Sequence, residues 1–172
     1  MSEPAPDPTC AVAHGEAPFR PAARTLVAVF ASPVAGFLLR YAQDLDYRPV
    51  LLEPDARQAK KLSEFPAVIA NPEDLDAAAD VVVTDHHRDE LGPMIRDVLA
   101  FPVRWVGVLG NPRHPAPYLP ALREFGVPEE DIARVHRPIG LNIGSRTPPE
   151  IAMATLAGLL ADRNGRPGGF EF

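Results

Sequence analysis

Short apolar runs, several of them β-branched, return along this chain with helix-length segments between them. That rhythm constrains the fold more than any other feature. "TLVAVF" (25–30), "RPVLLEP" (48–54), "DVVVTD" (80–85) and "VRWVGVLG" (103–110) each suit a strand, and the unbroken apolar runs among them suit strands buried on both faces. "AVIA" (67–70) is a weaker candidate, and "RVHRPIG" supplies a short last one. Between them "PVAGFLLRYAQDL" (33–45) reads as a helix. Pro33 fits its first position, where no backbone donor is needed, and Phe37, Leu38 and Tyr41 form a stripe at helical spacing. "DELGPMIRDVLA" (89–100) reads as helical despite Gly92 and Pro93, and "APYLPALREFG" (116–126) as a short helix stopped by glycine. A final helix spans about 148–163, with Asn164-Gly165 as its stop. Strand alternating with helix predicts a mainly parallel sheet with helices on both faces. Right-handed crossovers then make a Rossmann-like, doubly wound α/β fold the expected architecture.

The 172 residues suit one domain, expected over 24–172. Residues 1–23 are rich in Pro and Ala, show no period, and are expected to form a disordered tail. The net charge is −6, with no Lys/Arg cluster, which argues against a nucleic-acid partner. No apolar run approaches the roughly 18 residues of a membrane span. The first residues carry acids and prolines, unlike a signal peptide. A lone Cys10 cannot form an internal disulfide and lacks companions for a zinc site. These features predict a cytoplasmic protein.

In a sheet of this kind the strand-to-helix loops line the carboxyl edge, where ligands bind. Four polar stretches fall there: "ASP" (31–33), "TDHHRD" (84–89), "GNPRH" (110–114) and "RPIGLNIGSRTPPEIA" (137–152). The first lacks the glycines with which a dinucleotide fingerprint approaches pyrophosphate, and Pro33 removes a donor. Ordinary NAD(P) or FAD binding is weakened accordingly, although Glu53 stands where an acid grips a ribose. In the second stretch, adjacent His86 and His87 are awkward metal ligands, since extended neighbours point to opposite sides, and no metal site is expected. Asp89 reads as the cap of the next helix, while Asp85 and His86 are placed to touch a ligand. In the third, Gly110 suits a turn with positive φ, Gly107 a close backbone approach, and Arg113 a planar fork for an anion or simply a solvated arginine.

Thr147-Pro148-Pro149-Glu150 is a capping box. Capping alone does not require Gly140, Asn142, Gly144 and Arg146 just upstream. A glycine-bearing loop running into a helix N-terminus presents backbone donors, and Arg146 adds charge, so the combination suits a phosphate or another anion. A single His136 on the short last strand reads as structural.

At these residues the sequence resembles the XdhC/CoxI family, the xanthine dehydrogenase accessory factors of bacteria. "WVGVLGNPRH" and "HRPIGLNIGSRTPPEIAMATLAGLLADRNGR" are similar to the family patterns YxGxLGSRR and HxPIGLDIGxxTPxEIAxSIxAEIxAxxxG, and "VVVTDHHRDEL" to VVxTHD. The resemblance spans roughly 25–166 and implies a stand-alone, divergent copy of the family's C-terminal Rossmann-like domain. It implies binding of molybdenum cofactor, help with its sulfuration, and delivery to a molybdenum hydroxylase. The partners implied are that apo-enzyme and a separately encoded XdhC-type protein, with homodimer formation also open. Loop positions and resemblance together nominate Asp85, His86, Gly107, Gly110, Asn111, Arg113, Gly140, Asn142, Gly144, Arg146 and Thr147 as cofactor-binding. No nucleophile–base pair is evident, so the leading expectation is a binding protein without chemistry of its own. The alternatives are an NAD(P)-dependent oxidoreductase, or a regulatory or dimerisation module with a vestigial site.

Overall fold

The computed structural model of the chain describes residues 8–18, 22, 24–65, 68–69, 72, 75–111 and 113–169. In chain order these form α1 (Pro8–Ala13), β1 (Thr25–Val29), α2 (Pro33–Asp44), β2 (Arg48–Leu52), α3 (Ala56–Ala59), β3 (Val68–Ile69), β4 (Ala79–Val83), α4 (Leu91–Leu99), β5 (Trp105–Val108), α5 (Leu119–Glu124), α6 (Glu129–Ile132), β6 (Val135–His136) and α7 (Pro148–Arg163). The six strands make one sheet in the order β3-β2-β1-β4-β5-β6, with every pair parallel. The order reverses between β1 and β4, which is the doubly wound arrangement expected from the alternation of elements.

Alternation along the strands divides the core into two layers. Val27, Val29, Val81, Val83, Val106 and Val108 meet Leu91, Ile95 and Val98 of α4 and Leu122 of α5 on one face. Leu26, Ala28, Leu51 and Val82 meet Leu38, Leu39 and Ala42 of α2 and Ala152, Leu156 and Leu159 of α7 on the other. Ser32 starts α2 by accepting a bond from the Ala35 amide at 3.0 Å, and Pro33 follows at the first position. α7 packs along α2. Both helices follow a strand of the parallel sheet, so both begin at its carboxyl edge.

Besides the short helices α3 and α6, which the sequence reading does not include, these details differ from it. Pro8–Ala13 forms a short helix where a disordered tail is expected; residues 1–7, 19–21 and 23 of that tail lie outside the described residues. α4 begins at Leu91 behind Glu90, so Asp89 is not its cap. Pro93 lacks an N–H and is tolerated only within a first turn, which fixes that start. Of the weak run at 67–70, Val68 and Ile69 form β3, and 67 and 70 lie outside the described residues.

Candidate functional site

Just after β1, Phe30 has a left-handed φ of +69°, an uncommon state for a bulky residue. Beside it, at the end of β4, the Thr84 hydroxyl donates to the Phe30 carbonyl at 2.8 Å and accepts from Ser32 Oγ at 2.9 Å. These bonds cross the crevice at the reversal of strand order, where doubly wound folds hold ligands. Glu53, at the end of β2, is 1% exposed. Its carboxylate accepts from the Ala31 amide at 2.7 Å, the Asp55 amide at 3.0 Å, and the Arg88 guanidinium through two bonds of 3.1 Å. Arg88 also pairs with Glu90 at 3.0 Å and lies 4.7 Å above the Phe30 ring. Bonds to Glu90 and Glu53 raise its pKa above the ordinary arginine value. A buried carboxylate needs such donors. The acid that stands where a ribose is gripped therefore has both oxygens bound by the chain itself. Arg88 lies inside "TDHHRD", yet nothing in that motif shows that its partner is 35 residues upstream.

Asp85 Oδ1 accepts from the His87 amide at 2.9 Å and turns the chain. The His86 and His87 rings consequently lie 4.1 Å apart rather than on opposite sides. Burial holds the His86 imidazole below its ordinary pKa. His87 and Arg137 push the same way, and Asp85 opposes them. Among the described residues no group of three or more His, Cys, Asp or Glu has a metal-binding arrangement.

Arg137 is a residue that motif reasoning passed over. Its guanidinium donates to the His114 carbonyl at 2.9 Å and the Asn111 carbonyl at 3.0 Å, while its buried Nε has no partner among the described residues. A Cβ on Gly110 would lie 2.7 Å from that guanidinium. Gly110 does not have the positive φ expected of it; it is small because Arg137 packs there. The close approach at Gly107 is to the chain's own indole, since a Cβ would lie 2.1 Å from the Trp105 ring and 2.8 Å from Ile139. The Arg113 amide donates to Asn111 Oδ1 at 2.9 Å. Its side chain is exposed and without a recorded partner among the described residues.

The loop 140–147 divides into two parts. Gly140, at φ +83°, crosses α7 so closely that a Cβ would lie 3.0 Å from the Ala154–Thr155 backbone, and the Leu141 amide donates to the Ala154 carbonyl at 3.0 Å. Gly158 faces the same crossing, where its Cβ would lie 2.9 Å from Gly140 Cα. Farther on, Gly144 turns at φ +71° in open space, and Asn142 and Arg146 are exposed. Thr147 and Glu150 form the expected capping box. The Glu150 carboxylate accepts from the Arg146 amide at 2.8 Å and the Thr147 amide at 3.2 Å, which holds it below the usual carboxylate range. Those two backbone donors are thus occupied, and the Arg146 side chain is the feature left to face an anion.

The nominated residues therefore form two groups. Asp85, His86, Gly110 and Asn111 gather with His87, His114 and Arg137, and Arg113 is tied to Asn111; Gly140, Asn142, Gly144, Arg146 and Thr147 lie along the approach to α7, and Gly107 is taken up by Trp105 and Ile139. No hydrogen bond among the described residues joins them directly; the chain itself does, through Arg137, Pro138 and Ile139. No helix among the described residues is long and apolar enough to cross a membrane.

A family model described as the XdhC Rossmann domain matches residues 26–159. A protein of Escherichia coli (strain K12), "Uncharacterized protein YqeB", is 42% identical over 89 residues, which are 52% of this chain and 16% of that protein. A crystal structure described as a xanthine dehydrogenase (BH1974) from Bacillus halodurans matches with a TM-score of 0.66 and 20% identity, over 87% of this chain and 45% of that one. At that identity the likeness carries the fold alone. The chain spans less than half the length of either relative.

Proposed function

The chain belongs to the XdhC family through its Rossmann domain, and from that premise we propose that it is an accessory factor in the maturation of a molybdenum hydroxylase of the xanthine dehydrogenase type, holding molybdenum cofactor as cargo for the apo-enzyme. The observation that carries this reading is the distribution of charge at the carboxyl edge. Glu53, the acid a nucleotide would need, is occupied by Arg88, while Arg113 and Arg146 present guanidinium groups with no recorded partner among the described residues. Planar, permanently charged forks of this kind suit a phosphate. Arg137 adds a further guanidinium, held at the Asn111 and His114 carbonyls. A molybdenum cofactor carries a phosphate and a pterin, and this set fits its phosphate end.

In this reading Arg113 and Arg146 hold the phosphate, Asn111 fixes the turn that presents Arg113, and Glu150 fixes the turn that presents Arg146. When bound, the cofactor supplies oxygen-transfer chemistry to the client enzyme; the chain contributes binding and orientation. A separately encoded XdhC-type protein remains part of the proposal as a partner.

Gel filtration with molybdenum cofactor released from a molybdenum hydroxylase tests this reading. Molybdenum should co-elute with the chain, and Arg113→Ala with Arg146→Ala should abolish co-elution. NADH and NADPH should leave the fluorescence of Trp105, the chain's one tryptophan, unchanged. Saturable micromolar nicotinamide binding without molybdenum co-elution would overturn the proposal in favour of an oxidoreductase.

A further inference from the structure

We propose that the cleft between β6 and the C-terminal half of α7 binds a flat heteroaromatic ring with a 2-amino-4-oxopyrimidine edge, as in a pterin or a guanine, stacked on His136 and read by Asp162. This cleft, of about 230 Å³, is lined by Trp105, His136, Gly140, Gly158, Asp162 and Arg166, among others. Pockets for drug-sized ligands run to about 300–1,000 Å³, so a space of this size suits one bicyclic ring rather than a whole cofactor.

The wall is built to be flat. The His136 imidazole is stacked on the Trp105 indole at 5.1 Å with only 10° between the planes. The indole lies flat because Gly107 has no side chain to lift it. Trp105 is 8% exposed and so is fixed by the core, whereas His136 is exposed. An exposed ring backed by a fixed one is a stacking platform, and offset stacking of rings adds to the area they bury. The other side is thin where Gly140 and Gly158 cross without side chains.

The polar groups are arranged for an edge that both donates and accepts. Asp162 Oδ2 accepts from the Arg104 guanidinium at 2.8 Å, which fixes the carboxylate, and its Oδ1 accepts no bond among the described residues. A carboxylate oxygen of this kind accepts from the amino and ring N–H groups of a 2-amino-4-oxopyrimidine. The Arg166 amide is used by the Ala161 carbonyl, and its exposed guanidinium has no recorded partner among the described residues, leaving it to donate to the oxo group. Of these groups, the carboxyl-edge phosphate set uses none.

The pterin form of the ligand rests on the cofactor reading above, while the ring chemistry admits guanine equally. Calorimetry of the full chain with neopterin, with guanosine, and with inorganic phosphate as a control separates the two. The single indole N–H resonance reports whether the ring binds near Trp105. Neopterin is expected to bind saturably and move that resonance, and Asp162→Asn and His136→Ala should each weaken it by at least about tenfold. Asp162→Asn keeps an acceptor for Arg104, so its circular dichroism should match the parent. Guanosine binding with the same dependence on Asp162 and His136 supports the ring site and makes a purine its ligand. Binding of neither ring, or binding indifferent to both substitutions, overturns the inference. If both variants still carry molybdenum cofactor while neither ring binds, the cofactor reading stands and the ring site falls.

Discussion

Arg88 grips the buried carboxylate of Glu53 through two bonds of 3.1 Å, across 35 residues of chain. The pair closes the sheet edge beside the reversal of strand order. Breaking a buried pair leaves an uncompensated charge, which typically costs about 3–5 kcal/mol. Here the Ala31 and Asp55 amides still serve Glu53 when Arg88 is lost, so the low end applies. Arg88→Ala should lower stability by about 3 kcal/mol in urea unfolding. The double change Arg88→Met with Glu53→Gln should recover much of that, because no bare charge remains. A cost under about 1 kcal/mol for Arg88→Ala would mean that the two amides alone satisfy Glu53.

The fold was legible because its strands are apolar runs and its main helices carry caps that can be read locally. Ser32-Pro33 and Thr147-Pro148 start α2 and α7 as the residues suggest. α3 and α6 were not legible: four residues each, they show no helical period. The site was legible only as a set of loops. Glycine has several uses, and sequence alone does not separate them. Gly107 and Gly110 admit Trp105 and Arg137, which come from the chain itself, and Gly140 admits a helix. Arg137 sits within the quoted motif, but its bonds to Asn111 and His114 exist only once β5 and β6 are paired.

Two glycines of the last loop should respond differently to alanine. Gly144→Ala meets open space at φ +71° and should cost about 1–2 kcal/mol, the price of a left-handed alanine. Gly140→Ala has the same backbone penalty and also places a Cβ 3.0 Å from the backbone of α7, which cannot rotate away as a side chain can. Its loss should exceed that of Gly144→Ala by at least about 1 kcal/mol. Thermal melts of the two variants side by side decide the matter. Equal losses would show that α7 shifts freely under the loop.

The His86 pKa sets a pH dependence whose sign follows from its direction. The folded value lies below the unfolded one of 6.5, chiefly through burial. Between the two values the unfolded chain binds more protons, so stability rises with pH across that window and falls as pH drops below 6.5. His86→Gln should flatten the acid limb of a stability–pH curve there. A bound anion favours the imidazolium, so affinity at this edge for sulfate, whose charge is constant here, should increase as pH falls below 6.5, and the same variant should remove the increase. An unchanged slope in His86→Gln would place the titrating group elsewhere.

Glu150 links the helix cap to the anion question. Its pKa is lowered from 4.5 by bonds from the Arg146 and Thr147 amides. The stability this adds is present above 4.5 and is lost as pH falls through the lower folded value. Glu150→Gln should therefore melt at a lower temperature than the parent at pH 7. The gap should narrow in acid, where both carry a neutral side chain. The same substitution removes a negative charge beside Arg146, so phosphate binding at pH 7 should tighten even as the fold weakens. Melting and phosphate titration of one variant thus move in opposite directions if Arg146 faces the anion. Parallel loss of both would mean that the loop geometry, rather than the Arg146 charge, governs binding.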